Sequence, residues 1–329
     1  MVTEPATLGD FFLCELPDPA LKSDLGSLEH PIFSLATRPD RRVMSYSHND
    51  IVVTVTPSVR GRATIHDKDV LIYCTSQLIA ALNAGQPVCR TVYLVAHDLL
   101  KATGRDTSGD GYRRLRDALE RLVGTRITTN LKTGPLDDPV EVTTGFGLIE
   151  AWQIVRKTRA GRMVSVQVTL SEWLYRAILS KSVLTLNRQY FNLRRPLERR
   201  IYELARKHCG RQDKWRVSLE VLQKKSGSGS PRRVFRAMLR DIIANDALPD
   251  YSLTEEPGDM LQVSRRVLVE TLGDFVLRPE TLDTVRTLAP GADVYALEAE
   301  WRAWWVSTGQ PVLRSADRAF IGWVSKRSN

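Results

Sequence analysis

The sequence predicts an α+β fold in which one structural unit is used twice and a helical tail follows. Three observations carry this. A short amphipathic helix, a turn and a longer arginine-bearing helix occur at His97–Gly104 and Tyr112–Leu122, and again at Leu219–Gly227 and Arg232–Ile242. After each copy the apolar period shifts from the helical value to the strand value of two. Finally, the order helix, helix, helix, β-hairpin is that of a winged helix. The chain therefore reads as two tandem winged-helix (helix-turn-helix plus β-hairpin) domains.

Taken in order, residues 1–40 hold Pro5, Pro17, Pro19, Pro31 and Pro39 without periodicity and are expected to form a loosely packed arm. Domain one is expected over residues 41–170. Arg42–Thr56 is rich in strand formers. A helix from Asp67 or Asp69, either of which suits its cap, runs to about Asn83 with Gly85 past its end. Thr91–Val95 is a short strand before the first helix pair. Arg126–Lys132, Val140–Val155 and Met163–Leu170 follow as strands, with turns at Gly134-Pro135 and Arg159–Gly161. Domain two is expected over residues 171–275. Ser171 caps a helix to Ser180, and Pro196 opens another to His208. Trp215–Val217 is a strand, and Ser226–Ser230 is the turn before Pro231, which suits the first position of the reading helix. Tyr251–Thr254 and Met260–Ser264 make a hairpin across Pro257-Gly258. The tail, residues 276–329, holds helices at Asp293–Ser307 and Ser315–Lys326.

The net charge is +9, but Arg188 to Arg240 alone holds sixteen Lys/Arg against four Asp/Glu. Cations concentrated at one place suit a polyanion, with a solvated helix face as the plainer alternative. At 100° per residue, Phe235, Met238, Leu239 and Ile242 share the inner face of the second reading helix. Arg233, Ala237 and Arg240 lie opposite, Arg236 flanks them and Arg232 stands near the start. Arginine pairs with guanine through two hydrogen bonds, so Arg232, Arg233, Arg236 and Arg240 are the expected base-reading residues on double-stranded DNA. None of Arg232, Arg233 and Arg236 has an acid at helical spacing. By contrast, the outer face of the first copy carries Asp117 and Glu120 beside Arg113, flanked by Arg114, Arg116 and Arg121. That copy is expected to hold the DNA backbone through Lys101, Arg113, Arg114 and Arg116. Its hairpin tip adds Arg156, Lys157, Arg159 and Arg162, and the second copy adds Lys224, Lys225, Ser228 and Ser230. Lys224 and Lys225 equally suit the dipole at the end of their own helix.

Other chemistry finds no support. Cys14, Cys74, Cys89 and Cys209 form no CxxC pair, so no zinc site or disulfide framework is expected. The five histidines are isolated and offer no paired metal ligands for a nicking enzyme. His66-Asp67-Lys68-Asp69 reads as a helix start, and no GxxxxGK[ST] occurs. Neither catalysis, a cofactor nor a metal is expected. No segment reaches the ~20 apolar residues of a membrane span, and no signal peptide is evident, so a cytoplasmic protein is expected. Trp301, Trp304, Trp305 and Trp323 cluster in the tail. They pack on one another or on the second domain, or else form a docking surface for another protein.

Several stretches resemble the replication initiator protein A family of bacterial plasmids. They are Arg42–Tyr46, Ile65–Tyr73 and the Gly111–Leu115 helix start, with Trp304-Trp305 and Ala319–Trp323 near the end. The resemblance spans about residues 30–329. It implies an initiator that binds repeated origin sequences (iterons), helps open AT-rich DNA and recruits host initiator and helicase. It also implies DNA binding as a monomer through both domains, with inactive or autorepressing homodimers formed through the first. A winged-helix transcriptional repressor is the alternative, and an effector pocket would favour it.

Overall fold

The computed structural model describes residues 11–16, 18–48, 50–130, 143–157, 163–210, 212–266, 277–289, 293–308, 313 and 315–327. The chain divides into two compact units, Met1–Arg265 and Arg266–Asn329. In the first, β1 (Phe12–Leu13), β2 (Lys22–Asp24) and α1 (Leu25–Glu29) precede β3 (Met44–His48) and β4 (Ile51–Thr56). Then come α2 (Lys68–Asn83), β5 (Thr91–Val95), α3 (Ala96–Ala102), α4 (Gly109–Gly124), β6 (Arg126–Thr129), β7 (Thr144–Gly147), β8 (Ile149–Lys157) and β9 (Met163–Leu170). They are followed by α5 (Glu172–Leu179), β10 (Val183–Thr185), a 3₁₀ turn (Arg188–Asn192), α6 (Pro196–His208), β11 (Lys214–Ser218), α7 (Leu219–Ser226), α8 (Arg232–Asn245), β12 (Tyr251–Glu256) and β13 (Met260–Arg265). The second unit holds α9 (Pro279–Leu288), α10 (Val294–Ser307) and α11 (Ala316–Arg327). No helix among the described residues is long and apolar enough to cross a membrane.

One order of elements occurs twice: helix, strand, helix, helix, two strands. Its members are α2, β5, α3, α4, β8, β9 and then α6, β11, α7, α8, β12, β13. In both, the third strand lies between the first and second, as β5-β9-β8 and β11-β13-β12. In the first copy, β6 and β7 intervene between α4 and β8 and join β3 and β4 in a sheet of their own. The strand expected over Val140–Val155 is therefore two, β7 and β8, which lie in different sheets. The Gly134-Pro135 turn lies outside the described residues.

Two hydrophobic clusters underlie the copies. The first gathers Val70, Cys74 and Leu78 of α2 with Leu99, Leu115, Leu119, Val166 and Val168. The second gathers Ile201, Leu204, Leu222, Phe235, Leu239, Ile242, Leu261 and Val263. The expected boundary at residue 170 shifts, because Trp173, Leu174 and Ile178 of α5 pack into the first cluster. The expected loose arm is corrected as well. β1 lies parallel to β5, β2 pairs with β10, Leu28 is fully buried in the second cluster, and Ile32 and Phe33 are buried in the first. Its short segments lack periodicity of their own because strands elsewhere in the sequence complete them.

The copies are joined by charge buried at α2 and α6. Thirteen of the sixteen α2 residues are buried, so this helix is central rather than amphipathic. Lys68 Nζ lies 2.7 Å from Glu203 Oε1, both side chains 1% exposed. Glu203 also accepts from Arg200 at 3.1 Å and from the Tyr190 hydroxyl at 2.8 Å. Asp69 holds Arg199 at 2.5 Å and Arg105 at 3.0 Å. Asp67 stands at the N-cap position of α2 but makes no capping bond. Its carboxylate accepts instead from the Thr64 amide and, twice, from Arg121 at 2.7 and 2.8 Å.

Removing one member of such a cluster strands a buried charge. Lys68→Met should therefore lower the unfolding free energy by about 3–5 kcal/mol in a urea titration. A loss below about 1 kcal/mol, the scale of an exposed pair, would mean the cluster does not join the copies.

Candidate nucleic-acid interface

The best-formed candidate surface is the outer face of α8. Ser218 Oγ accepts from the Val221 amide at 3.3 Å to start α7, and Gly227 ends it at φ +71°, a left-handed conformation that glycine adopts without strain. Serine hydroxyls knit the following turn, since the Ser228 amide donates to Ser226 Oγ and the Ser230 amide to Ser228 Oγ. Ser228 and Ser230 are half-buried. Pro231 stands one residue before α8, as its N-cap rather than its first member. Phe235, Leu239 and Ile242 are buried beneath the helix. Arg232, Arg233, Arg236, Ala237 and Arg240 together line one surface hollow of about 680 Å³. The faces expected from helical geometry are the faces found.

The isolation of these arginines is corrected. Arg232 lies 3.7 Å from Glu220 of α7, and Arg236 lies 2.6 Å from Asp259 in the β12–β13 turn. Arg240 grips Glu255 of β12 through two bonds of 2.7 and 3.0 Å. The hydrogen bond from Arg240 holds the Glu255 carboxyl below its usual range and raises the guanidinium correspondingly. Sequence spacing along one helix could not show these acids, since they come from neighbouring elements. Arg233 has no acid partner among the described residues. The second hairpin, with Glu255, Glu256 and Asp259, is therefore acidic at its tip, and it braces the arginine face.

The remaining expected contacts separate. Lys224 is exposed and pairs with Glu220 at 3.0 Å. Lys225 is not a surface cation. It is buried, its Nζ donates to Glu29 of α1, and its carbonyl accepts from Arg200 at 2.8 Å. On the first copy, Lys101 and Arg116 are exposed, and Arg113 and Arg114 are exposed but both held by Asp110. Arg121 turns inward to Asp67 instead of flanking the outer face. Arg156 and Lys157 end β8, while Arg159 and Arg162 lie outside the described residues.

In the tail unit, the docking set is corrected by half. Trp301 and Trp305 are 1% and 3% exposed and form its core with Phe320 and Val324. Trp304 is 47% exposed, its ring 6.3 Å from that of half-buried Trp323, over which the Arg327 guanidinium sits at 4.4 Å.

The sequence profile described as Replication initiator protein A matches residues 22–253. A protein of Wigglesworthia glossinidia brevipalpis, named for replication, is 34% identical over 247 residues, which cover 74% of this chain and 88% of the relative. Two crystal structures of domains 2 and 3 of RctB are similar in fold. One, a selenomethionine derivative, has a TM-score of 0.52 at 14% identity and covers 74% of this chain and 98% of its own. The other has a TM-score of 0.50 at 15% identity and covers 72% and 95%.

An exposed ion pair contributes at most about 1 kcal/mol and exchanges readily for a phosphate. Glu255→Gln releases Arg240 and removes a negative charge beside the hollow. It should tighten binding of a DNA duplex by up to about 1 kcal/mol in a fluorescence-anisotropy titration. Weaker binding would mean that Glu255 positions Arg240 for contact rather than competing with DNA for it.

Proposed function

Because this chain belongs to the replication initiator protein A family, we propose that it initiates replication by binding double-stranded DNA sequence-specifically at an origin. Each copy of the repeated element order acts as a winged helix. The observation that carries this reading is the α8 hollow, where four arginines and one small residue share an outward face. Arg233 enters the major groove without first giving up an acid, and Arg232, Arg236 and Arg240 exchange Glu220, Asp259 and Glu255 for bases or phosphates. The first copy contributes backbone contacts through Lys101, Arg113, Arg114 and Arg116.

The finer proposals follow from the family. The DNA is a plasmid origin with iterons, and binding helps open adjacent AT-rich DNA. Trp304 and Trp323 meet a host initiator or helicase, and homodimers form through the first copy. The protein works in the cytoplasm without catalysis or a cofactor. The repressor reading has one feature in its favour, a cavity of about 540 Å³ whose walls include Leu35, Leu197, Met238 and Ile242. Such a space suits a small effector.

A footprint on DNA flanking the gene, at fixed salt, separates the two. Evenly spaced repeats beside an AT-rich stretch support the initiator, and a single palindrome over a promoter supports the repressor. On that DNA, Arg233→Ala should cost about 1–3 kcal/mol and relax preference at one base pair. It should cost more than Arg240→Ala, whose arginine must leave an acid to bind. Unchanged affinity and preference in Arg233→Ala would remove α8 as the reading helix.

A further inference from the structure

Two loops of the first unit carry five arginines that the basic stretch from Arg188 to Arg240 does not include. They are residues 34–42, with Arg38, Arg41 and Arg42, and residues 57–62, with Arg60 and Arg62. The loops are locked together. Arg62 Nη2 lies 3.0 Å from Asp40 Oδ2, and its amide donates to the Asp40 carbonyl at 2.9 Å. Arg42 Nε meets the other carboxylate oxygen at 2.9 Å, and this hydrogen bond takes Asp40 down to about 2. Across the join, Arg41 Nε donates to the Val59 carbonyl at 2.9 Å. Gly61 adopts φ +88°, and a Cβ there would stand 3.0 Å from the Pro39 ring, so the close approach requires glycine.

This frame pairs Arg42 and Arg62 with Asp40 and leaves three cations without an acid. Arg38, Arg41 and Arg60 are exposed and have no acid partner among the described residues. Their neighbour Val59 is 83% exposed. The place of the frame gives them a use. Ala36 and Thr37 line the 540 Å³ cavity whose walls also include the α7–α8 turn, Gly227 to Ser230, the start of α6, and Met238, Asp241 and Ile242 of α8. The same two residues line a cavity of about 600 Å³ whose far wall includes Gly104, Gly111 and Arg114, at the α3–α4 turn. The frame therefore lies between the two turns, beside the start of α4 and beside the turn that leads into α8. In such motifs the start of the second helix is the end that meets bases and backbone.

We propose that Arg38, Arg41 and Arg60 form a third contact with the DNA backbone, on the stretch of duplex between the segments held by α4 and α8. The inference rests on the DNA-binding reading above. Loops whose backbones are locked together suit this work, because only the side chains give up freedom on meeting phosphates. Phosphate contacts carry no sequence information, so this one sets register and affinity and leaves base preference to α8.

The test uses the full chain and the duplex recovered from its own footprint. Removing one phosphate-binding cation lowers the slope of log affinity against log salt by about 0.9. Arg38→Ala should therefore reduce the slope by about one, and the triple alanine variant at Arg38, Arg41 and Arg60 by about three, with base preference unchanged. Hydroxyl-radical protection should disappear from the middle of the footprint and persist at both flanks. Arg176→Ala, at an exposed position of α5, should change neither slope nor protection. Arg38 makes none of the bonds that lock the loops, so its single variant answers the question even if the triple variant loses stability. If wild-type binding is salt-sensitive and these slopes and central protections stay unchanged, the third contact does not exist. If the wild-type protein shows no salt-sensitive duplex binding, the DNA-binding reading itself fails, and this inference with it.

Discussion

The buried charges between α2 and α6 are the constraint on which the rest of the first unit depends. Lys68 and Glu203, both almost wholly out of water, are tolerable because every charge there has a partner: Lys68, Arg200 and the Tyr190 hydroxyl on Glu203, and Arg199 and Arg105 on Asp69. Apolar packing alone would let two helices slide past each other at modest cost. A satisfied buried network permits one arrangement, because a small displacement strands a charge. The first helix of each repeated unit is thus held in one register with the other, and α4 and α8 inherit a fixed relation.

The same economy decides which cations remain for a partner. The net charge between Arg188 and Arg240 suggests a large polyanion surface, yet much of it is neutralised by acids from elsewhere in the sequence. Asp69 holds Arg199, Asp18 holds Arg188, Asp241 holds Arg195, and Glu29 holds Lys225 and Lys207. Glu256 holds Arg216, and Glu255 and Asp259 hold two of the α8 arginines. Among the described residues, those left without an acid include Arg233 on the reading face, Lys101 and Arg116 on the first copy, and the three loop arginines. Exposed pairs such as Arg240–Glu255 are weak enough to open when a phosphate arrives, whereas Arg199 and Arg200 are fixed in place.

The repeated helix pairs and the inner and outer faces of α4 and α8 were legible in the sequence, because amphipathic period and turn residues are local properties. So were most strands and the two longest helices of the tail. What escaped was long-range. The segments at 11–40 show no period because β1 and β2 are completed by β5 and β10, far along the chain. Lys225 reads as a helix-end cation until Glu29 is brought to it. Four tryptophans in two helices look alike in sequence, but burial separates Trp301 and Trp305 from Trp304 and Trp323. The acids of the β12–β13 hairpin stand in plain view as Glu255, Glu256 and Asp259. That they face α8 follows only from how the hairpin folds back.

The central claim is that the two repeated units, held as one body by buried charge, engage one continuous stretch of duplex. The most direct measurement varies the spacing. Two base pairs are inserted at the middle of a single protected repeat, and affinity is compared with that for the parent duplex at the same salt. A rigid body cannot follow the added rotation, so affinity should fall by at least about tenfold, with protection kept on one side alone. Equal affinity and full protection of both halves on the lengthened site would contradict the account and show that the units move independently.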